Sequence, residues 1–243
     1  MAATAPVKDK SKVHKLSLKG SAKLVAEFFQ YSIHTILFQR GVYPAEDFTA
    51  LKKYGLNMLV SSDDQVRAYI KKIMSQLDKW MVGGKISKLV IVITDKDTGE
   101  HVERWQFDRH TQTVRSKSSP SQRPNRNPKP APPQPTPPNQ ENSSTPSLAA
   151  AAAAEKEDKT EAEIQAEIAA IFRQITASVT FLPQLSGDCT FNVLVYADAS
   201  SEVPVEWGDS DAKEIVNGER VQLRGFSTAS HRVDTLVSYR LQD

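Results

Sequence analysis

Cysteine is nearly absent from this sequence of 243 residues, since Cys189 is the only one. A single cysteine cannot form a disulfide within the chain, and such scarcity is typical of a reducing compartment. Long apolar runs are missing as well: residues 148–154 are mostly alanine and far fewer than the roughly 20 that cross a bilayer. The first residues also lack the apolar segment of a secretory signal. We therefore expect neither a membrane span nor a secretory leader.

Recognisable catalytic motifs are missing too. The sequence has no glycine-rich phosphate loop, no CxxC and no paired metal-ligand spacing. Cys189 has no adjacent base or helix N-terminus that would lower the pKa of its thiol. His34, one of five scattered histidines, lies within a predicted helix, and its side chain is expected to be packed or hydrogen-bonded. The sequence thus predicts a protein that is not an enzyme, with no catalytic residue, no metal and no cofactor.

Charge is balanced over the whole chain, with 31 Lys and Arg against 29 Asp and Glu. A positive field covering the whole protein, as nucleic-acid binding favours, is not expected. Basic residues do concentrate in residues 1–20 and 109–129. One alternative is therefore a basic nucleic-acid or membrane-surface module, whose binding would fall steeply with salt.

One long segment differs in composition from the rest. Residues 111–147 are rich in Pro, Ser, Asn and Gln, which predicts disorder because they cannot bury enough apolar surface. We interpret the segment as an insert at about 109–160 within one domain, 13–243, preceded by a flexible tail, 1–12. Each side of the insert supplies only part of a layered core, so two separate domains are not expected.

The first half predicts helices followed by strands. Apolar residues from Leu24 to Leu37 follow helical spacing, with Ser21 as the predicted cap. Phe48, Leu51 and Tyr54 predict a short second helix that ends at Gly55.

A third helix and two strands complete this half. The helix begins at Asp63 or Asp64 and carries apolar residues up to Trp80. The β-branched run 88–93 predicts a buried strand, and 101–108 predicts the strand that returns beside it. The pattern favours an α+β fold in which the main helices pack on one face of a largely antiparallel sheet.

The second half begins with a long amphipathic helix, 161–182. Its apolar stripe leaves Arg173, Gln174 and Phe181 on another side. An exposed aromatic beside arginine is typical of a contact patch, but Phe181 could equally lie under a neighbouring loop. Both interpretations stay open.

The C-terminal third predicts strands. In 190–197, Phe191, Val193 and Val195 share one face, and Leu194 and Tyr196 share the other. Two further runs follow, with Gly225 expected between them. The last run alternates so regularly that we expect it to pair with a sheet edge.

Three blocks carry a family resemblance: GSAKLVAEFFQYSIHTILFQRGVYP (20–44), ERWQFD (103–108) and RQITASVTFLP (173–183). Their order and length resemble the spindle-checkpoint members of the HORMA-domain family. The resemblance covers the chain except 1–12 and about 109–160. It implies a single HORMA domain that switches between two folded states. Other HORMA adaptors, a translesion-polymerase subunit or a meiotic-axis protein, remain as alternatives.

In that family the C-terminal hairpin moves. In the open state it covers one sheet edge; in the closed state it crosses to the other side, displaces the N-terminal segment (here about 13–20) and wraps a peptide against the freed edge. The resemblance implies a mobile safety belt at about 200–243 and a peptide cradle opposite it. The implied cradle residues are Phe191, Asn192, Val193, Leu194, Val195 and Tyr196, and the implied belt residues are Trp207, Val233, Val237 and Tyr239.

The resemblance also implies a second surface. It serves dimerisation between open and closed conformers and binding of a silencing adaptor that mimics the domain. The matching residues are Arg40, Arg173, Gln174, Phe181 and Arg224. Leu18 matches a leucine before the first helix that helps to set the dimerising state.

The partners implied by the resemblance are all proteins. They are a coiled-coil kinetochore checkpoint receptor, the activator subunit of the anaphase-promoting complex, the kinase-like subunit of the mitotic checkpoint complex, an AAA+ remodelling ATPase with the silencing adaptor, and a second copy of the chain. Sequestering the activator would delay anaphase. The implied locations are the nucleus, nuclear envelope, kinetochore and cytoplasm.

Overall fold

The first helix, α1 (Leu18–Gln39), shows how tertiary contacts override a local signal. A computed structural model describes residues 16–112 and 159–241, which belong to one compact unit. Ser17 caps α1, since its hydroxyl accepts a hydrogen bond from the backbone N–H of Gly20. The predicted cap at Ser21 is wrong, because that side chain is fully buried and bonded to the C-terminal hairpin. The predicted tail, 1–12, and residues 113–158 of the insert lie outside the described residues.

The predicted short second helix is wrong as well. Its residues form a hairpin of two antiparallel strands, β1 (Phe48–Lys53) and β2 (Leu56–Ser61). Tyr54 and Gly55 join them, both with positive φ, 52° and 68°. Two consecutive residues of that kind form the tight turn that suits a twisted hairpin. Gly55 therefore reverses the chain instead of ending a helix.

Two further helices have side-chain caps. The helix α2 (Asp64–Val82) begins at Asp63, whose carboxylate accepts from the N–H of Val66 at 2.8 Å. The helix α3 (Glu161–Ala177) begins with a capping box formed by Thr160 and Glu163. It ends sooner than predicted, because a tighter 3₁₀ turn (Ser178–Thr180) follows it.

Five strands form the main sheet, in the order β5-β3-β4-β7-β6, with every neighbouring pair antiparallel. Their bounds are β3 (Ile86–Asp95), β4 (His101–Thr111), β5 (Cys189–Ala197), β6 (Glu219–Ser227) and β7 (His231–Tyr239). The strand β4 extends to Thr111, so the insert does not begin at 109 as expected. The C-terminal hairpin β6–β7 therefore pairs with β4, on the opposite side of β3 from β5.

One face of the sheet packs on the helices and forms the core. Phe28 of α1 lies at its centre, with ring centroids 5.6 Å from Phe107 of β4, 5.4 Å from Phe172 of α3 and 5.0 Å from Phe226 of β6. Aromatic side chains bury large apolar areas and dominate such cores. The expected α+β arrangement, with three main helices and an antiparallel sheet, is confirmed.

A bulge distinguishes the hairpin. The register of β6 against β7 shifts between Leu223 and Phe226. Gly225 lies in this bulge and not between two strands, as was predicted; the chain turns after Ser227 instead. A Cβ on Gly225 would run into the carbonyl oxygen of Val233. The close approach of two backbones explains why glycine is needed here.

Candidate peptide-binding site

The strand β5 offers an unpaired edge. It pairs with β3 on one side, and within residues 16–112 and 159–241 no strand pairs with its other side. An exposed strand edge presents backbone N–H and C=O groups that a further extended segment can bond. All six predicted cradle residues lie in β5. Phe191 and Val193 are buried in the core, and the register places Leu194 and Tyr196 on the opposite face, as the alternation predicts.

The chain that leaves β5 passes over the C-terminal end of α2. We name residues 198–218 the belt loop. Its first residue, Asp198, donates its backbone N–H to the carbonyl of Lys85 at 2.8 Å. Trp80 then donates its indole N–H to the carbonyl of Glu202 at 3.0 Å, and its ring meets Trp207 edge to face at 5.1 Å. Trp80 thus anchors the first half of the belt loop.

The second half of the belt loop is held by the sheet face that points away from the helices. Arg104 of β4 is buried on this face. Its Nε donates to the carbonyl of Ala212 at 3.1 Å, and its guanidinium lies 3.3 Å from the carboxylate of Glu214. Val90 and Val92, which point the same way by alternation, are fully buried as well. The belt loop therefore crosses the sheet from β5 toward the β4 side.

A cleft of about 360 Å³ lies between β5 and the belt loop. Its lining includes Trp80, Leu194, Tyr196, Trp207, Asp209 and Asp211. Apolar and aromatic groups come from the strand and from the two tryptophans, whereas the carboxylates come from the belt loop. An extended segment that bonded the β5 edge would have the belt loop beside it.

The C-terminal hairpin is fixed on the opposite side of the sheet. Val233 and Val237 of β7 are fully buried and face Arg109 and Trp105 across the β4–β7 register. Tyr239 lies near the end of the same register, opposite Glu103. Three of the implied belt residues therefore form part of the sheet.

A buried polar cluster ties this hairpin to α1 and β4. Ser21 of α1 lies 2.5 Å from the hydroxyl of Thr228 and 2.6 Å from Nδ1 of His231. Arg109 lies 2.6 Å from Nε2 of His231 and donates to the carbonyl of Ile86 at 2.7 Å. Because arginine can only donate, Nε2 must accept, so His231 is neutral and carries its proton on Nδ1.

Electrostatics agree with that tautomer. Burial, and to a smaller extent the nearby Arg109 charge, together lower the pKa of His231 to about 4. The neutral ring is therefore the form that suits this arrangement of the hairpin at neutral pH.

The residues implied for the second surface are only partly brought together. Gln174 accepts from the backbone N–H of Arg224 at 2.7 Å, which docks α3 on β6. Arg173 and Arg224 are exposed. Phe181 is 42% exposed and its ring centroid lies 6.3 Å from that of Tyr239. Phe181 thus leans on the strand β7 and not under a loop, and it stays accessible; its role in a contact patch stays a prediction.

Arg40 differs from the others because it is buried. Its Nε lies 2.8 Å from a carboxylate oxygen of Glu103, and its NH2 donates to the carbonyl of Pro183 at 2.5 Å. Glu103 also accepts from the indole N–H of Trp105. Burial raises the pKa of Glu103, and the Arg40 charge opposes that rise. In this arrangement Arg40 is paired inside the protein, and the role implied for it on the second surface stays a prediction.

Leu18 also lies differently from the expectation. It is the first residue of α1 instead of preceding the helix, and it is 60% exposed. The role implied for it in conformer control stays a prediction.

The sequence interpretation missed Trp80, Arg104 and the cluster around His231 as site residues. One signal was available: Arg109 continues the period-two pattern of Trp105 and Phe107 along β4 and so belongs to the core face. Placing 109 inside the insert hid that signal. The belt-loop contacts of Arg104 had no local signal, because Ala212 and Glu214 lie more than a hundred residues away in the sequence.

Other kinds of site lack support in the part of the chain that the structure describes. There, no group of His, Cys, Asp and Glu side chains could hold a metal ion, and no helix is long and apolar enough to cross a membrane. Cys189 is buried, and burial raises the pKa of its thiol.

Comparisons with known proteins agree with this geometry. The HORMA domain family matches residues 21–231. The chain is 51% identical to "Mitotic spindle checkpoint component mad2" of Schizosaccharomyces pombe, over 93% of this chain and 94% of that protein. It is 37% identical to human "Mitotic spindle assembly checkpoint protein MAD2A", over 93% of each. A chain in "Crystal Structure of Mitotic Checkpoint Complex" superposes with a TM-score of 0.71 at 48% identity, covering 91% of this chain and 99% of that one.

Proposed function

Since the chain belongs to the HORMA-domain family, and within it to the Mad2 spindle-checkpoint proteins, we propose that it is a checkpoint adaptor that traps a partner's extended segment. The segment would add to the sheet as a strand on the free edge of β5, beside the belt loop. Backbone hydrogen bonds would supply affinity, and alternate side chains would enter the cleft and supply selectivity.

One observation carries this proposal: the hairpin β6–β7 occupies the β4 side while the β5 edge is unpaired in the described residues. This is the arrangement that the family resemblance describes as closed. If the hairpin lay on β5 instead, it would cover the edge that the guest needs. One edge cannot pair with both, so trapping requires the hairpin to change sides.

Such a change is a switch between two packings of one sequence. Switches of this kind need the two states to differ by only a few kcal/mol. The C-terminal hairpin would be the mobile element, and residues 13–20 would be displaced from β4 when it arrives. An AAA+ ATPase with the silencing adaptor would reverse the change.

The guests would be proteins of the checkpoint. We propose the coiled-coil kinetochore receptor and the activator subunit of the anaphase-promoting complex, whose capture would delay anaphase. The kinase-like subunit of the mitotic checkpoint complex would join the same assembly. These partners would place the protein at the nucleus, nuclear envelope and kinetochore, and in the cytoplasm.

The surface that carries Arg173, Phe181 and Arg224 would bind a second copy of the chain or the silencing adaptor. The bond from Arg224 to Gln174 supports this role, because it exists only while the hairpin lies beside α3. A partner that contacts α3 and β6 together would therefore recognise the closed arrangement.

Catalysis has no part in this proposal. The adaptor would act by holding and releasing partners. The rival idea, a basic surface module, makes the opposite prediction: its binding would survive loss of the hairpin and would collapse in salt.

The test compares the full chain with a chain that lacks residues 234–243, a deletion that removes most of β7. The probe is a fluorescein-labelled peptide selected on the full chain from a displayed random library. We expect the truncated chain to stay folded by circular dichroism and to lose binding, because the hairpin can no longer hold the β4 side.

Amide exchange on the full chain supplies the second readout. The peptide should add protection at residues 191–196 and change protection near both ends of the chain. Undiminished binding after truncation, or protection confined to another surface, would overturn the proposal.

A further inference from the structure

A second groove, of about 510 Å³, lies between α2 and the belt loop. The helix contributes Lys71, Lys72 and Lys79, and the belt loop contributes Pro204, Glu206 and Trp207. We name it the lysine groove. The sequence alone gives these lysines of α2 no role beyond solvation. In the structure, however, the belt loop borders this face of the helix, so the lysines line a groove and not an open surface.

The three lysines have no partners within the described residues. Each is exposed, and none has a carboxylate within 4.0 Å or a hydrogen bond. Some lysines elsewhere on the described surface, such as Lys88 with Asp108 and Lys96 with Asp188, form ion pairs, whereas Lys23 and Lys52 do not; the groove differs in having three unpaired lysines around one cavity. Glu206 is the one carboxylate in the groove lining and also has no partner there. The groove therefore keeps a positive excess.

The lysine groove lies next to the candidate peptide site, and the two share one lining residue. Trp207 lines both the lysine groove and the cleft beside β5. Its position is set by the contact of its ring with Trp80 and by its backbone N–H, which donates to the carbonyl of Pro204 at 2.9 Å. A segment that leaves the β5 cleft past Trp207 therefore meets the three lysines next.

The charges along this path change sign. Asp209 and Asp211 line the cleft, whereas Lys71, Lys72 and Lys79 line the groove. Charge complementarity across an interface selects partners and fixes register. The groove is therefore suited to carboxylates, and the cleft beside it is not.

We propose that the lysine groove binds an acidic stretch, Asp or Glu residues, that flanks the β5-bound segment of the same guest. This inference rests on the proposed function, since it concerns the flank of the trapped peptide. It adds a criterion for partners: a guest needs both a strand for β5 and an acidic run on the side that passes Trp207.

The test uses one labelled peptide that binds the full chain, synthesised with a flank of glutamates, serines or lysines at either end. We expect the glutamate flank at one end to tighten binding by about tenfold over serine, because several exposed ion pairs form together. The gain should shrink as salt rises from about 50 mM to about 300 mM, since these charges are screened.

Matched variants locate the effect. The triple variant Lys71→Glu, Lys72→Glu, Lys79→Glu should lose the glutamate gain and favour the lysine flank. The control Lys23→Glu, Lys52→Glu, Lys53→Glu changes three lysines of α1 and β1 by the same charge and should keep the gain. Binding of the serine-flanked peptide should be equal in all three chains, which shows that the β5 site is intact.

Two results would overturn the inference while leaving the proposed function in place. One is a serine-flanked peptide that binds as tightly as the glutamate-flanked one. The other is a glutamate gain that both triple variants lose equally, which would reflect net charge alone. If no peptide protects β5 in any chain, the proposed function fails and this inference falls with it.

Discussion

The hairpin β6–β7 and the belt loop are neighbours in the sequence, but they are held in different ways. The hairpin is part of the sheet, and Leu223, Phe226, Val233 and Val237 are buried in the core. In the belt loop, Ile215 is the only buried residue. The loop depends on a few directed contacts, chiefly those from Trp80 and Arg104.

The difference separates two tasks. Full burial of one large apolar side chain contributes about 1.5–3 kcal/mol, so the hairpin's several buried residues outweigh any single belt contact. An aromatic pair adds about 0.5–1.5 kcal/mol and a hydrogen bond about 1 kcal/mol. We therefore expect the position of the hairpin to decide which arrangement the domain adopts, and the belt loop to decide how firmly a guest is kept.

Lowering the pH should cause the largest loss of stability, and it tests how firmly the hairpin is held. The folded pKa of His231 in the hairpin is about 4, against 6.5 when unfolded, and the pKa of His34 in α1 is lowered to about 4, mainly by burial. Below pH 6.5 both histidines become protonated in the unfolded chain, but they stay neutral in the folded chain until the pH approaches 4. Each histidine should then cost about 2 kcal/mol of unfolding free energy between pH 6.5 and 5.

Urea unfolding of the full chain at several pH values measures that loss. His231→Gln and His34→Gln should each remove a similar part of the pH dependence, and part of the rest comes from His101, whose pKa is also lowered by burial. Glu103, whose pKa is raised, works in the opposite direction, but it does so equally in all three chains. An unchanged slope in His231→Gln would mean that the ring titrates freely and that the cluster does not hold the hairpin.

The same substitution in each region should give the next largest effect. Gly225→Ala places a methyl group against the backbone of β7, with Asp234 Oδ1 2.7 Å away. Overpacking of this kind costs about 1–3 kcal/mol. Gly208→Ala in the belt loop meets nothing within 4 Å, so its effect should stay within about 0.5 kcal/mol.

The unfolding midpoints of the two alanine variants measure this difference. A lower midpoint for Gly225→Ala than for Gly208→Ala, with faster amide exchange in β7 for Gly225→Ala alone, would support the comparison. Equal loss in both variants would show instead that the belt loop is as tightly packed as the hairpin.

The sequence predicts the framework better than the contacts within it. Helix α3 and strand β5 follow from clear periodicities, and the alternation in β5 gives the correct faces. The hairpin β1–β2 was missed because Phe48, Leu51 and Tyr54 also fit helical spacing. The deciding feature is the positive φ at both Tyr54 and Gly55. Because residues other than glycine rarely adopt positive φ, the sequence gives no sign of it at Tyr54.

The candidate site divides in the same way. The cradle strand could be located from the sequence together with the family resemblance. The arrangement of the sheet could not, because the same alternation in β7 fits either side of the β3–β4 pair. Arg40 shows another limit: a matching residue does not reveal that its side chain is buried against Glu103 in this arrangement.

Trp207 of the belt loop should contribute less to stability than the packing of the hairpin does. Trp207→Ala removes one edge-to-face contact, so the unfolding free energy should fall by only about 1 kcal/mol. Guest dissociation should still accelerate by about tenfold, because most effects of binding-site changes appear in the dissociation rate. Stopped-flow release of a serine-flanked labelled peptide measures this without any contribution from the lysine groove.

Val205→Ala is the matched control, since Val205 lies in the same loop and is fully exposed; it should change neither quantity. If Trp207→Ala instead destabilised the domain as much as Gly225→Ala, the belt loop would be part of the core. The separation between choosing an arrangement and keeping a guest would then be wrong. A stable variant that releases its peptide quickly would show that the two tasks reside in neighbouring segments of one chain and can be changed independently.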